Sequence, residues 1–391
     1  MSNLDDLPEF LKPTIKLFLS VDLVGSTKLK HDEDVLNGNS ATTESLDGIG
    51  ARWFRYLIDF YSGFEEMFTE EWKKAFSEDG IAKPHWIVGD TPSLWKVNGD
   101  ELIYVLTISH PGQIVAALYS WREALLRYRS HLHERNASLD VKATAWMAGF
   151  PIGNHEVAFS RNLSNVEPGS PEHAGKFGQY YRLNEWYKSK GDGGNSDYVK
   201  DYIGPAVDTG FRIAGFASSR RFPVSVEVAF FLANFAYDAE VHDKIALRYH
   251  GRESMKGVLS GIPYPIFWID AASPDDELIK AEDKLRSPDA ECDLRDVKQY
   301  VKVFFEDAKN KLFEPFIFGC DDKVFCTIPK NYALLLKQTA DIWAKELAKI
   351  EILNQPAPPV DGVAEEEVHD DEMETLVGKV LKGGPSRTSG G

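Results

Sequence analysis

The feature that most restricts the fold is a short apolar strand that leads to a carboxylate. Residues 17–22 read Leu-Phe-Leu-Ser-Val-Asp, and Leu-Val-Gly-Ser-Thr follows at residues 23–27. Asp is unfavourable inside a strand, so we expect Asp22 at the strand's end, facing a site. Hard divalent cations prefer oxygen ligands from carboxylates and backbone carbonyls, and Asp22 and the Leu23 carbonyl supply both kinds. The backbone around Gly25 can approach a phosphate closely.

A second stretch has the pattern of a hairpin whose tip carries another carboxylate. Residues 93–97 and 101–106 are mostly apolar, and residues 98–100 between them read Asn-Gly-Asp. Asn-Gly between apolar runs is a strong hairpin signal. A fold that places Asp100 beside Asp22 would give two carboxylates on adjacent strand ends, an arrangement suited to two metal ions and phosphoryl chemistry. Taken alone, each stretch also has an ordinary structural explanation, since many Asp residues end strands and many Asn-Gly pairs only turn.

The composition limits the classes of partner. The chain has 391 residues, 43% of them hydrophobic, and a net charge of −17. These values predict a globular protein with a buried core and argue against general affinity for nucleic acid or anionic membranes. The three cysteines lack metal-ligand spacing and are typical of reduced cytosolic thiols. We therefore expect a cytoplasmic protein without membrane insertion, because the most apolar stretch, 222–237, is short and contains Glu227 and Asn234.

The chain divides into four predicted parts. Residues 1–14 form a leader, 15–270 the main domain, 271–354 a helix-rich C-terminal extension, and 355–391 a Pro-, Glu- and Gly-rich tail that we expect to be disordered. Aromatic residues at helical spacing predict a long amphipathic helix over 44–76, with the aromatics in the core or in a dimer contact.

Two further segments of the main domain bear on function. Residues 151–196 are predicted to form a long irregular insertion. A helix is predicted to begin near Pro205, because proline suits the first turn. Asp208 and Arg212 are four residues apart and share a face of that helix, so an ordinary ion pair between them is an alternative to a functional role.

Together and in this order, the two carboxylate stretches resemble the class III nucleotidyl cyclase family. That family has Asp, two aliphatic residues, Gly, Phe or Ser, and Thr at a strand end, which matches residues 22–27 here, followed by a Lys-x-x-Gly-Asp hairpin, which matches residues 96–100. The resemblance covers residues 15–270. It implies an α/β (α+β) fold with a ferredoxin-like core, to which this chain adds the helical C-terminal extension.

The resemblance also implies roles for single residues. Asp201, three residues before Gly204, and Lys96 match the family's base-contacting Asp and Lys. Arg212 matches the Arg that stabilises charge on the phosphoryl group. Asp208 stands where the family has Asn and is assigned with Arg212 to catalysis. An ionised Asp only accepts hydrogen bonds, so Asp208 would orient the ribose differently from Asn or would steady Arg212.

The implied reaction is attack of the ribose 3′-hydroxyl on the α-phosphorus with loss of diphosphate. Asp22, the Leu23 carbonyl and Asp100 would hold two Mn²⁺ (or Mg²⁺) ions per site. In the family the metal-binding and base-binding halves come from different protomers, which implies a homodimer with two active sites. The predicted substrate-binding residues are Phe18, Gly25, Ser26, Thr27, Lys96 and Asp201.

The sequence restricts the choice of base less than it restricts the reaction. Lys96 as a donor and Asp201 as an acceptor suit adenine, cytosine or uracil and suit guanine least. The bulk of Phe18, Trp95 and Tyr202 narrows the pocket towards a pyrimidine, unless these side chains only pack in the core.

The whole chain resembles the pyrimidine cyclases of bacterial Pycsar anti-phage systems. That likeness implies conversion of UTP, or CTP, to cyclic UMP or cyclic CMP, with UTP favoured, and a product that activates a separate effector. The alternatives are a housekeeping adenylate cyclase and a catalytically inactive nucleotide sensor. The presence of Asp22, Asp100 and Arg212 argues against the sensor, because a sensor does not need both metal carboxylates.

Overall fold

The structure is a computed structural model that describes residues 7–32, 52–162, 175–191, 197–236, 245–272, 276–285, 292–309 and 311–353. The strands are β1 (Thr14–Val24), β2 (Ser93–Asn98), β3 (Glu101–Ile108), β4 (Asp140–Phe150), β5 (His155–Ser160), β6 (Tyr198–Ile203), β7 (Arg221–Val224), β8 (Leu247–Glu253) and β9 (Tyr264–Asp270). The helices are α1 (Ser26–Asp32), α2 (Arg52–Ala75), α3 (Pro111–Arg135), α4 (Gly175–Gly191), α5 (Pro205–Ile213), α6 (Val226–Phe231), α7 (Glu277–Leu285), α8 (Leu294–Asp307) and α9 (Lys330–Leu353).

The chain forms two compact units, Met1–Glu346 and Leu347–Gly391. Of the second unit the structure describes residues 347–353, which end α9. None of the described helices is long and apolar enough to cross a membrane. The predicted disordered tail, 355–391, lies outside the described residues, and the domain boundaries inferred from the sequence stay predictions.

The main sheet confirms the predicted α/β fold with a ferredoxin-like core. Its seven strands have the order β2-β3-β1-β4-β7-β9-β8. Strand β1 is antiparallel to both β3 and β4, and β2 is antiparallel to β3. With α2 between β1 and β2 and α3 between β3 and β4, the first part of the chain has the β-α-β-β-α-β arrangement of ferredoxin-like folds.

Strand β1 is buried because it lies inside this sheet with both faces covered. The side chains of Leu17, Phe18 and Leu19 have no solvent exposure, and a strand covered on both faces is expected to be apolar almost throughout. The strand continues to Val24, two residues beyond the end predicted at Asp22, because residues 23 and 24 still pair with β4.

The predicted aromatic helix is α2, and four of its aromatic residues lie in the core, whereas Phe54 is exposed. Phe60, Phe64, Phe68 and Trp72 are buried, and the rings of Phe64 and Phe68 each lie 4.8 Å from the ring of Trp121 on α3. The part of the prediction that covers residues 44–51 lies outside the described residues.

The prediction of an irregular insertion over 151–196 is wrong in two places. Residues 155–160 form β5, which pairs antiparallel with β6 in a separate two-stranded sheet, and α4 spans Gly175–Gly191. Leu183 and Tyr180 on α4 are buried. Strand β5 pairs with β6, which is distant in sequence, so no local sequence pattern predicts this pairing.

The described residues after 276 include the helices α7, α8 and α9. On α8, Phe305 packs edge-on against Phe230 of α6, with ring centroids 5.6 Å apart. On α9, Trp343 packs edge-on against Phe10 at 5.0 Å.

A buried ion cluster fastens the β5–β6 sheet to the main sheet. The Nζ atoms of Lys16 on β1 and Lys200 on β6 each lie 3.2 Å from Oε1 of Glu156, and the Glu156 and Lys16 side chains are each 5% exposed. The hydroxyl of Tyr187 donates to Oε2 of Glu156 at 2.5 Å. Burial alone would raise the pKa of Glu156, but Lys16, Lys200 and Tyr187 outweigh it and lower that pKa from its ordinary 4.5.

We expect Lys16→Met to lower the free energy of unfolding by about 3 kcal/mol, because it removes one partner of a buried charge. Urea denaturation of the full chain measures this. Arg135→Met is the matched control, since Arg135 pairs with Asp59 at 2.6 Å on the surface and such pairs contribute less than about 1 kcal/mol.

The pH dependence of the Lys16→Met effect gives a second readout. The folded-state pKa of Glu156 is lowered, so its contribution is present above 4.5 and is lost as the pH falls below that value. The stability difference between wild type and Lys16→Met should therefore shrink below pH 4.5. A difference that stays constant, or equal losses in the two variants at neutral pH, would contradict the assigned role of the cluster.

Candidate active site

The first part of the site is the junction between the end of β1 and the β2–β3 hairpin. Asp22 lies opposite Glu101 of β3, and the backbone amide of Leu23 donates to the carbonyl oxygen of Asp100 at 3.0 Å. The buried Ser26 hydroxyl donates to Oδ2 of Asp100. The hairpin thus brings Asp100 against the strand that carries Asp22, and Ser26 orients its carboxylate.

Gly25 makes the turn after β1 possible. Its φ of +91° lies in the left-handed region, and an added Cβ would lie 2.9 Å from the carbonyl oxygen of Ser138. Only glycine adopts this φ without strain and lacks the Cβ that would clash with the Ser138 oxygen. The turn leads directly into α1, where Ser26 is buried and Thr27 is exposed. The substrate contacts predicted for Gly25, Ser26 and Thr27 stay predictions.

The donor set at this junction fits a hard divalent cation. Two carboxylates, Asp22 and Asp100, and the Leu23 carbonyl meet there, and both carboxylates are partly exposed. The described residues contain no group of three or more His, Cys, Asp or Glu side chains that could hold a metal. Magnesium-type sites commonly use one or two protein carboxylates and complete the coordination shell with water and substrate phosphate.

Tyr61 supports the hairpin tip from α2. Its hydroxyl donates to the carbonyl oxygen of Gly99. Burial, and then the nearby charge of Asp100, raise the pKa of Tyr61. The phenol therefore stays protonated and remains a donor to the tip at neutral pH.

Lys142 is a site residue that the sequence did not reveal. It lies on β4 directly opposite Asp22, and its Nζ is 3.0 Å from Oδ2 of Asp22, with the two side chains 33% and 29% exposed. An ammonium group thus neutralises the predicted metal carboxylate. Its position depends on the register between β1 and β4, which no local pattern in the sequence indicates.

The second part of the site pairs Lys96 on the edge strand β2 with Asp201 on β6. The Nζ of Lys96 lies 3.2 Å from both carboxylate oxygens of Asp201, and the indole N–H of Trp95 donates to Oδ1 of Asp201 at 2.9 Å. The Lys96 ammonium also lies 4.7 Å from the centroid of the Trp95 ring. The structure thus brings together the donor and the acceptor that the sequence assigned to base recognition.

An aromatic cluster lies behind this pair. Phe18 has no solvent exposure and stacks on Trp146 at 5.3 Å with an interplanar angle of 3°. The rings of Trp95 and Tyr202 meet Phe18 edge-on at 5.1 and 5.3 Å. Phe18 is therefore a core residue beneath Trp95 and Tyr202, and the predicted contact of Phe18 with substrate stays a prediction.

Helix α5 presents Asp208 and Arg212 to solvent, and both are exposed. No ion pair within 4.0 Å joins these two described side chains, so the alternative of an ordinary ion pair is wrong. Gly210 lets the helix approach the aromatic cluster, because an added Cβ would lie 2.3 Å from the Trp146 ring. This close packing fixes the helix that carries Arg212 and was not evident in the sequence.

No family model matches the chain, and no curated protein matches it. Among solved structures, it is similar to the adenylyl cyclase CyaB from P. aeruginosa at 11% identity and a TM-score of 0.39, over 67% of this chain and 97% of that one. It is similar to the guanylyl cyclase Cya2 at 10% identity and a TM-score of 0.37, over 68% and 95% of the two chains. At this level of similarity, function has to be argued from this chain's own residues.

The Lys96–Asp201–Trp95 arrangement predicts a measurable change at the Trp95 indole. We expect Asp201→Ala to move the Trp95 indole N–H resonance upfield and to speed its exchange with solvent, because the carboxylate acceptor is lost. Asp208→Ala is the matched control on the neighbouring helix and should leave this resonance unchanged. An indole signal that does not respond to Asp201→Ala would show that the hydrogen bond does not form in solution.

Proposed function

We propose that this chain is a nucleotide cyclase of the class III type that acts on a pyrimidine nucleoside triphosphate, with UTP preferred over CTP. The products are a 3′,5′-cyclic nucleotide and diphosphate. The observation that carries the proposal is the presence, on one scaffold, of a carboxylate junction at Asp22 and Asp100 and a donor–acceptor pair at Lys96 and Asp201.

The two parts of the site lie at separate places along β1. Side chains two residues apart in a strand face the same side of a sheet, so Phe18 and Asp22 of β1 share a face and lie about 13 Å apart along it. The base-binding pair lies over Phe18 through Trp95, and the carboxylate junction is at Asp22. Each copy of the chain therefore offers a base-binding half and a metal-binding half, and two copies can bring unlike halves together around one nucleotide.

The protein groups have separate tasks in the reaction. Asp22, the Leu23 carbonyl and Asp100 would hold two Mn²⁺ or Mg²⁺ ions, which lower the pKa of the attacking 3′-hydroxyl and bind the phosphates. Ser26 keeps the Asp100 carboxylate in one orientation through its hydrogen bond. Arg212 is exposed on α5, where its guanidinium can stabilise charge that develops on the phosphoryl oxygens as diphosphate leaves.

Base selection follows from hydrogen-bond chemistry and bulk. Lys96 donates and Asp201 accepts, so guanine, whose N1–H would meet the Lys96 donor, fits worst. The Lys96 and Asp201 side chains are 43% and 29% exposed in a single copy. Once the second copy of the proposed dimer covers them, a base that leaves them without partners would be rejected by a factor of up to about 10⁴. The Trp95 and Tyr202 rings fill the space behind the pair, which favours the smaller pyrimidine ring.

A second copy of the chain would complete each active site. Strand β2, which carries Lys96, is at the edge of the sheet and is exposed along most of its length. Around it, Leu94, Val97 and Phe211 are exposed apolar side chains, and an uncovered edge strand with apolar neighbours favours association. We propose a homodimer in which the Asp22 half of one copy faces the Lys96 and Arg212 half of the other.

The biological role proposed for the product is that of a second messenger in defence against phage, acting on a separate effector. This part rests on the resemblance of the whole chain to the pyrimidine cyclases of Pycsar systems.

The identity of the product tests the proposed function. Purified protein incubated with UTP, CTP, ATP or GTP and Mn²⁺ should yield a cyclic nucleotide by mass spectrometry, with kcat/KM highest for UTP and lowest for GTP. The highest kcat/KM for ATP would contradict the pyrimidine preference and support an adenylate cyclase. The absence of cyclic product from all four nucleotides would contradict the enzyme assignment.

The carboxylate junction predicts the effect of Asp22→Ala. We expect cyclase activity to fall below detection and Mn²⁺ binding, measured by electron paramagnetic resonance without nucleotide, to weaken at least tenfold. Thermal unfolding should change little, because the Asp22 side chain is 29% exposed and its ion pair with Lys142 is near the surface. Asp59→Ala is the matched control, since Asp59 forms a surface ion pair with Arg135. Undiminished turnover by Asp22→Ala at saturating Mn²⁺ would remove Asp22 from the metal site.

A further inference from the structure

A second cavity lies at the N-terminal end of α5, at the opposite end of the helix from Arg212. Its volume is about 90 Å³, and it is mainly apolar. Its wall is formed by residues at the start of β1, the end of β4, the first turn of α5 and the segment 311–316. Among the lining residues are Gly149, Asn154, Pro205, Ala206, Glu227 and Tyr332.

Gly149 keeps this space open. It lies in β4 opposite Ile15 in an uninterrupted antiparallel register, without a bulge. Its φ is not positive, and an added Cβ would meet no atom within 4 Å. Glycine inside a regular strand weakens the strand and often marks the close approach of a ligand or another backbone. Here neither backbone geometry nor packing requires glycine. A side chain at this position would extend into the open space of the cavity.

Glu227 gives the mainly apolar cavity a polar group. It lines the wall and lies 3.4 Å from the hydroxyl of Tyr264, which donates to its Oε2. Burial raises the pKa of Glu227 despite the hydrogen bond from Tyr264, which lowers it. The carboxyl can form a hydrogen bond with a polar group of a ligand in the cavity. A mainly apolar pocket with few placed polar groups is the usual composition of a small-molecule site.

Asn154 links the cavity wall to the helix of the candidate active site. Its Nδ2 donates to the carbonyl oxygen of Gly149 at 3.0 Å, and its Oδ1 accepts from the amide of Ala206 at 2.9 Å. Ala206 lies in the first turn of α5, the helix that carries Asp208 and Arg212. The approach is tight, because a Cβ added to Gly204 would lie 2.6 Å from Oδ1 of Asn154. Asn154 therefore connects the cavity wall directly to the start of α5.

We infer that this cavity is a regulatory binding site for a small, uncharged, mainly apolar molecule with one polar group, and that its occupation shifts α5. A cavity of about 150 Å³ accommodates benzene, so this smaller, partly open space suits a ligand of similar or smaller size. The binding site itself is independent of the proposed cyclase activity, whereas its regulatory consequence rests on that activity.

The binding test uses the full chain and cyclopentanone as the probe. Titration followed by amide NMR should give saturable shifts at Gly149, Ala206 and Glu227. Gly149→Leu fills the space and should abolish these shifts, and Gly149→Ala should weaken the apparent affinity severalfold. Gly215→Ala is the matched control, because its added Cβ also meets no atom within 4 Å and Gly215 does not line the cavity; its affinity should equal that of wild type.

The contribution of Glu227 has its own pair of variants. Glu227→Gln keeps a polar side chain of the same size and should retain binding of cyclopentanone, whereas Glu227→Leu removes the polar group and should weaken binding at least tenfold. Thermal unfolding of each variant shows whether it is folded, and Gly149→Ala remains informative if a larger substitution fails to fold. Absence of saturable shifts in wild type, or equal binding by wild type and Gly149→Leu, would overturn the site.

The regulatory part is tested separately. Saturating cyclopentanone should shift the amides of Asp208 and Arg212 and should change kcat of the wild-type enzyme at least twofold while leaving Gly149→Leu unaffected. Binding without any shift of these α5 amides would overturn the coupling. If no nucleotide is turned over under any condition, the proposed function fails, and the amide shifts still decide the cavity and its coupling to α5.

Discussion

The antiparallel register of β1 with its two neighbours is the constraint on which the rest of the structure depends. Asp22 lies opposite Glu101 on one side and opposite Lys142 on the other. Four residues earlier in the same strand, Phe18 supports the aromatic cluster under the Lys96–Asp201 pair. A one-residue slip would turn every side chain of the strand to the other face of the sheet, so the burial of β1 also fixes the positions of both halves of the candidate site.

The half of the candidate site that contains Lys96 and Asp201 depends on close packing around α5. The ring of Trp146 occupies the space that a side chain at Gly210 would need, and Asn154 holds the first turn of the helix through the amide of Ala206. The buried charges of Lys16, Glu156 and Lys200 fasten the β5–β6 sheet, which carries Asp201. The position of Asp201 relative to Lys96 therefore depends on contacts outside this pair.

The sequence predicted those parts of the fold that rest on local patterns. The hairpin at residues 98–100 and the aromatic helix α2 each follow from spacing within a short segment. The role of Lys142 could not be predicted, because it depends on the pairing of β1 with β4, which are distant in sequence. Strand β5 could not be predicted for the same reason, because its partner β6 is distant in sequence. For Phe18 the sequence allowed two roles, a core residue or a wall of the substrate pocket, because an aromatic residue in a strand suits both. Only the packing in the structure shows that Phe18 is fully buried.

The measurement that tests the central claim most directly is complementation between two inactive variants. If the active site is shared between two copies, mixing Asp22→Ala with Arg212→Ala protein creates heterodimers with one intact site. At equal amounts and full subunit exchange, half of the dimers are heterodimers, so the account predicts recovery of about a quarter of the wild-type cyclase activity. Native mass spectrometry verifies the exchange. Verified heterodimers without recovered activity would contradict a composite site built from Asp22 of one copy and Arg212 of the other.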